Sequence, residues 1–251
     1  MPDNKRSGTA AAVRGADEAM EGDVHLDVRV YPIDNPEGST LAFASVTFDG
    51  VAAIRGIRVI EGDEGLFVAM PQTRQEKDGE IKYHDIAFPL TKELHKQMRR
   101  AVLDEYRDPK GDEGKDTAPD NTGRDVKLDV KVFPIDNPQG STLAFASVTV
   151  DDLVAIRGIR VVSGSDGLFV SMPQSRQEKD GGTKYYDVAF PVMKGLGKQL
   201  RQAVKEGYNA QISAKSASLD GKLLDGAKKS AAHVPPQRQA AAKSRYAGAR
   251  G

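Results

Sequence analysis

Residues Val24–Tyr106 recur as Val126–Tyr208, displaced by 102 positions with no insertion or deletion. About two-thirds of the paired positions are identical, and a repeat of that length defines the folding unit. One copy of about 83 residues suits a small domain and is too long for a solenoid repeat. The expected organisation is an N-terminal segment 1–23, repeat 1 over 24–106, a linker 107–125, repeat 2 over 126–208 and a tail 209–251.

Within a repeat the hydrophobic pattern changes period once. Val24–Tyr31 and Val126–Phe133 alternate apolar and polar residues, the mark of a half-buried strand. The Pro- and Asn-rich stretch 32–38 reads as a loop, with Asp34 and Asp136 expected to cap turns. Leu41–Phe48 and Val51–Ile60 read as strands joined at Asp49-Gly50, a pair favourable in a two-residue hairpin turn. Leu66–Met70 and Lys82–Phe88 read as two more strands, and Gln72–Glu80 between them as a projecting polar loop. Thr91–Tyr106 then places Leu94, Met98, Ala101, Val102 and Tyr106 three to four residues apart, a helical stripe with Thr91 as N-cap. The predicted class is α+β: two tandem domains, each a small antiparallel sheet of about five strands followed by a C-terminal helix. The N-terminal segment, the linker and the tail lack apolar anchors and are expected to be disordered. Leu223-Leu224 is the one candidate for helix nucleation in the tail.

Composition narrows the chemistry. Cysteine is absent, which excludes disulfides and thiolate chemistry and suits a reducing cytoplasm. No apolar run is long enough for a membrane span. A net charge of zero hides an uneven distribution. Repeat 1 carries ten basic and fourteen acidic residues, repeat 2 eleven and nine, and the tail eight and two. Positive charge therefore gathers toward the C-terminus, where a polyanion would be drawn.

No catalytic constellation recurs. His25, His84 and His95 pair with Lys127, Tyr186 and Gly197 across the repeats, so no histidine site is duplicated. Gly62-Asp63-Glu64-Gly65 is acidic where a phosphate loop needs amides and a cation, so it reads as a turn. No enzyme activity, cofactor or metal is expected. What recurs is a set of cations. Arg55, Arg58, Arg74, Lys77, Lys82, Lys92, Lys96 and Arg99 return as Arg157, Arg160, Arg176, Lys179, Lys184, Lys194, Lys198 and Arg201. Together they are expected to form one basic surface for phosphates, with Tyr83 and Tyr185 available to stack on bases. The competing reading is a solvated helix face with ordinary salt bridges. Glu93, His95 and Glu105 become Gly195, Gly197 and Gly207 in the second copy. That change predicts a weaker but less acidic second helix, with repeat 2 as the main nucleic-acid face and repeat 1 chiefly structural.

The stretch Ala44–Pro71 resembles the SpoVG family, the bacterial stage V sporulation (septation) proteins. The residues that carry the resemblance are Ile57-Arg58-Val59-Ile60, Gly62, Gly65 and Gly65-Leu66-Phe67-Val68-Ala69-Met70-Pro71. Repeat 2 has them as Ile159-Arg160-Val161-Val162 and Gly167-Leu168-Phe169-Val170-Ser171-Met172-Pro173. Asp85-Ile86-Ala87-Phe88-Pro89 and the ending 101–106 match as well. The resemblance implies a cytoplasmic, dimeric sheet-plus-helix fold linked to sporulation and division-septum formation, with nucleic-acid-binding regulators among its members. Phe88 and Phe190 depart from the smaller or polar residue such a pattern leads one to expect. The expected partners are DNA or RNA, a division protein as the alternative, and no membrane. Edge strands of a small sheet need covering, so the two repeats are expected to close on each other as an internal pseudo-dimer or to form a homodimer.

Overall fold

Residues 24–77, 79–109, 119, 121, 123–179 and 182–231 are described by the computed structural model, excepting the side chains of residues 77, 177–179 and 219–231. The N-terminal segment and residues 232–251 lie outside the described residues, as does the expectation that they are disordered.

Alternation builds the sheets as expected. β1 (Leu26–Pro32), β2 (Thr40–Phe48), β3 (Ala52–Gly62) and β4 (Gly65–Ala69) form an antiparallel meander. Along β2, Ala42, Ala44, Val46 and Phe48 point into the core while the intervening residues face out. The β2–β3 turn has Asp49 and Gly50 both at positive φ (50° and 63°), the geometry this dipeptide favours. In β3 the alternation breaks at Gly56, whose φ of 73° marks a bulge between Arg55, opposite Ser45, and Ile57, opposite Ala44. The bulge keeps Ile54, Ile57 and Val59 all on the buried side.

Two segments differ from the sequence reading. The stretch read as a polar loop, Gln72–Glu80, holds a strand of its own, β5 (Gln72–Lys77), which forms a hairpin with β6 (Glu80–Asp85). The polar composition of β5 conceals it, because the strand buries no face and has no apolar period to read. The single strand expected over Lys82–Phe88 is interrupted at Ile86, which separates β6 from β7 (Ala87–Pro89). Helix α1 (Lys92–Arg107) follows, with the Thr91 side chain accepting from the Leu94 N–H at 3.1 Å and Leu94, Met98 and Val102 buried.

Repeat 2 follows the same order: β8 (Leu128–Pro134), β9 (Thr142–Val150), β10 (Val154–Gly164), β11 (Gly167–Ser171), β12 (Gln174–Lys179), β13 (Gly182–Asp187), β14 (Ala189–Pro191) and α2 (Leu196–Ala231). Helix α2 runs on to Ala231, well past the end of the repeat at Tyr208, through a stretch expected to lack structure. Of the three glycines only Gly195 falls outside the helix, while Gly197 and Gly207 lie within it. Gly195 stands before the helix at φ 84°, so α2 starts at Leu196, while α1 starts two aligned positions earlier. A Cβ on Gly207 would lie 3.0 Å from a methyl of Val132, so this glycine lets the helix approach β8 closely.

The short strands cross between the repeats. β14 pairs with β3 of repeat 1 (Ala189 opposite Ile54, Phe190 opposite Ala53, Pro191 opposite Ala52). β7 pairs with β10 of repeat 2 in the same register (Ala87 opposite Ile156, Phe88 opposite Ala155, Pro89 opposite Val154). Flanking backbone bonds extend each exchange: Arg55 N–H to Val188 and Arg157 N–H to Ile86, both 2.7 Å, and Val192 N–H to Val51 and Leu90 N–H to Leu153, both 2.8 Å. Proline closes each exchanged strand, where the missing N–H costs no ladder bond. One continuous apolar core results, with Ile54, Ile57, Met98, Leu153, Ile156, Leu196 and Leu200 fully buried or nearly so.

Candidate nucleic-acid interface

The recurring cations do not form one surface. Core-facing residues alternate with Arg55 and Arg58 along β3, so both arginines project from the sheet face opposite the one that helix α1 covers. Lys92, Lys96 and Arg99 are exposed on α1, away from its buried Leu94, Met98 and Val102. On the hairpin, Arg74 stands opposite Tyr83 while Lys82 stands opposite Gln75. Adjacent positions on a strand point to opposite sides, so Arg74 shares a face with Tyr83 while Lys82 belongs to the other; the Lys77 side chain lies outside the described residues. Arg176, paired in register with Tyr185, and Lys184, opposite Gln177, repeat this division; the Lys179 side chain lies outside the described residues. In repeat 2, Lys198 and Arg201 lie on α2, but Lys194 precedes the helix.

Several of these cations already have partners. Arg74 meets Glu76 at 3.3 Å, Lys82 meets Glu80 at 3.2 Å and Lys96 meets Glu93 at 3.3 Å. All three pairs are exposed, so each contributes only about 0–1 kcal/mol. Their effect is on field: a neutralised lysine attracts a phosphate less. In repeat 2, Gly182 and Gly195 occupy the positions of Glu80 and Glu93. Among the described residues Lys184 and Lys198 therefore have no carboxylate partner. Arg201 donates to the Gly197 carbonyl at 3.1 Å, and Arg160 to the Ser171 hydroxyl at 3.3 Å.

Arg55 and Arg157 serve the strand exchange. The Arg55 guanidinium lies 4.5 Å from the centroid of the Phe190 ring, and Arg157 lies 4.6 Å from that of Phe88. The two phenylalanines that departed from the expected pattern are thus reciprocal cation–π acceptors across the repeats. A second link between repeats comes from the linker. Arg124 donates to Asp49 in the β2–β3 turn and to Asp151 in the β9–β10 turn. Those carboxylates, through their hydrogen bonds and charge, push the guanidinium pKa up, against a smaller opposing effect of burial. Asn121 adds a bond to the Asp49 carbonyl at 2.9 Å. Part of the segment expected to be a free linker is therefore docked. Arg124 is one of four cations among six acids in residues 107–125, and the stretch has no periodicity to single it out.

Among the described residues no group of three or more His, Asp or Glu could hold a metal ion, and no helix is long and apolar enough to cross a membrane. These features define a tandem-duplicated α+β protein in which two sheet-plus-helix units trade a strand and share one core. The SpoVG family model matches residues 24–108 and again 126–210, so the chain belongs to the SpoVG family and carries two copies of its domain. The SpoVG septation protein of Clostridium perfringens strain 13 is 48% identical over 80 residues, 32% of this chain and 84% of the relative. Those of Caldicellulosiruptor saccharolyticus (44% over 80 residues, covering 32% and 86%) and Clostridium kluyveri (45% over 87 residues, covering 35% and 86%) are similar.

Proposed function

We propose that this SpoVG chain is a nucleic-acid-binding regulator, acting in sporulation and division-septum formation, that holds DNA or RNA mainly through phosphate contacts from repeat 2. The observation that carries the reading is the asymmetry of the ion pairs. Repeat 1 neutralises Lys82 and Lys96, whereas the glycines of repeat 2 leave Lys184 and Lys198 uncompensated. Charge follows the same direction, since the tail after Tyr208 carries eight basic and two acidic residues. The named relatives are septation proteins, which supports a role in division.

The test is a mobility-shift or anisotropy titration of the full chain across a salt series. Replacing Lys194, Lys198 and Arg201 by alanine together removes up to three phosphate contacts. The slope of log affinity against log salt should then fall by about 2 to 3, with affinity lower at every salt concentration. Unchanged affinity and slope would remove repeat 2 from the interface.

A second reading, a protein-interaction module in septation, is favoured by one feature: β1 and β8 remain edge strands of the described sheets. Capture of a division protein from nuclease-treated lysate, lost on replacing Val28 or Val130 by proline, would support it. We further propose that one chain supplies both halves of the pair, so that the protein sediments as a monomer in the cytoplasm.

A further inference from the structure

The sheet face turned away from the helices carries aromatic side chains that the core does not use. Following the strand register, Tyr31 stands opposite Phe43, Phe43 opposite Arg58 and Arg58 opposite Ala69. Repeat 2 reproduces the row as Phe133, Phe145, Arg160 and Ser171. Phe67 and Phe169 flank the rows one register step away, opposite Ile60 and Val162. The aromatic rings are largely in solvent: Tyr31 is 55%, Phe43 45%, Phe133 58% and Phe145 47% exposed. Large aromatics normally supply core energy, and an exposed cluster of them marks a binding surface. Here the same cluster occurs on both copies.

The chemistry of the row selects its occupant. Neighbouring strands lie about 5 Å apart, so two rings and a guanidinium form a line on the order of 10 Å long. Arg58 and Arg160 have no carboxylate partner among the described residues. Arg29 with Arg55, and Lys131 with Arg157, add cations on the same face beside a single aspartate in each copy, Asp27 or Asp129. Flat rings interleaved with uncompensated guanidinium groups suit planar bases strung on phosphates. A second copy of the chain suits them poorly, because face-to-face docking would press like-charged arginines together. Duplex nucleic acid also suits them poorly, because paired bases are stacked on each other and hide their faces.

We propose that each aromatic–arginine row is a stacking platform for unpaired bases, so that the chain prefers single-stranded RNA or DNA and carries two such platforms. This rests on the nucleic-acid reading above and specifies the form of the ligand. It also moves the stacking role from Tyr83 and Tyr185 on the hairpins to the sheet itself.

The experiment is fluorescence anisotropy on the full chain with labelled 20-nucleotide poly(U), poly(dT) and a 20-base-pair DNA duplex at one salt concentration. Wild type should bind single strands more tightly than duplex. Phe43→Ala with Phe145→Ala should lower single-strand affinity about tenfold or more while leaving duplex binding within about twofold, and Phe43→Tyr with Phe145→Tyr should restore it. The chain contains no tryptophan, so Phe133→Trp provides a single emission whose quenching on poly(U) reports stacking directly. Single-strand binding unchanged in the alanine pair, with no quenching, overturns the platform. So does concentration-dependent sedimentation of wild type that the alanine pair abolishes. Wild type that binds none of the three probes overturns the nucleic-acid reading itself.

Discussion

Replacing Arg124 by alanine separates the two hairpin turns that this residue joins. Its guanidinium donates to Asp49 and Asp151, one carboxylate from each repeat, and all three side chains are at least partly buried. A hydrogen bond to a charged group contributes about 1.5–3 kcal/mol when sheltered, and an exposed ion pair about 0–1 kcal/mol. Partial burial puts the two bonds together near 2 kcal/mol. Removing the cation also leaves the two aspartates facing each other, which adds on the order of 1 kcal/mol of repulsion in a partly solvated site. The expected loss is therefore about 2–3 kcal/mol. For a folded unit of this size, each kcal/mol moves Tm by about 2–4 °C, so thermal denaturation should fall by roughly 5–10 °C. Adding Asp49→Asn and Asp151→Asn to Arg124→Ala should recover part of that loss. Asparagine tolerates the positive φ of both positions and removes the repulsion. A Tm within one degree of wild type for the single variant, or a triple variant no more stable than the single, would refute the clamp.

Gly195→Ala should destabilise by about 1 kcal/mol, because the residue sits at φ 84° ahead of α2; a raised melting temperature would mean the glycine lies within the helix after all. Phe88→Ala with Phe190→Ala removes both rings under Arg157 and Arg55. It should cost about 0.5–1 kcal/mol per cation–π contact plus lost apolar burial, read by chemical denaturation, and a free energy equal to wild type would contradict the contact. Burial, and secondarily Arg99, hold the His95 pKa below its ordinary 6.5, with Asp85 opposing. The native state thus resists the proton more than the unfolded chain does. Stability should be full above pH 6.5 and decline as pH falls through that value, and His95→Gln should flatten the decline in pH-dependent melts.

What was legible in the sequence is what repeats with a period. Alternation along β2 and β3 and the three-to-four spacing of Leu94, Met98 and Val102 led directly to a sheet and a helix, because one face of each element is buried. Strand β5 escapes for the converse reason: polar at every position, it leaves no period. The exchange of β7 and β14 could not be assigned from the pattern either. Each strand is three residues long, and its apolar and proline residues would suit its own sheet as well as the other one. Recurrence of the cations identifies residues but not faces. Only the register separates Arg74 from Lys82 and sets Arg55 and Arg58 on the sheet side away from the helix.

The exchange bears on how the two copies can differ. Each sheet is completed by a strand from the other repeat, and the core runs through both. Residues in the exchanged strands and the core are therefore tied to partners in the opposite copy. A change at Phe88 is felt by Arg157, and one at Phe190 by Arg55. Surface positions carry no such coupling, because distant sites contribute independently. Differences that change charge or hydrogen bonding fall there: Glu80 against Gly182, Glu93 against Gly195 and Ala69 against Ser171. A duplicated unit whose interior is shared can thus assign different charge to its two halves without disturbing the scaffold. It follows that the isolated repeats are poor proxies for their roles, since each would lack the strand that closes its sheet. The division of labour has to be read from paired surface substitutions within the intact chain. Lys198→Ala should weaken phosphate binding more than Lys96→Ala, whose lysine is already neutralised by Glu93; equal effects of the two would show that both halves bear the contact alike.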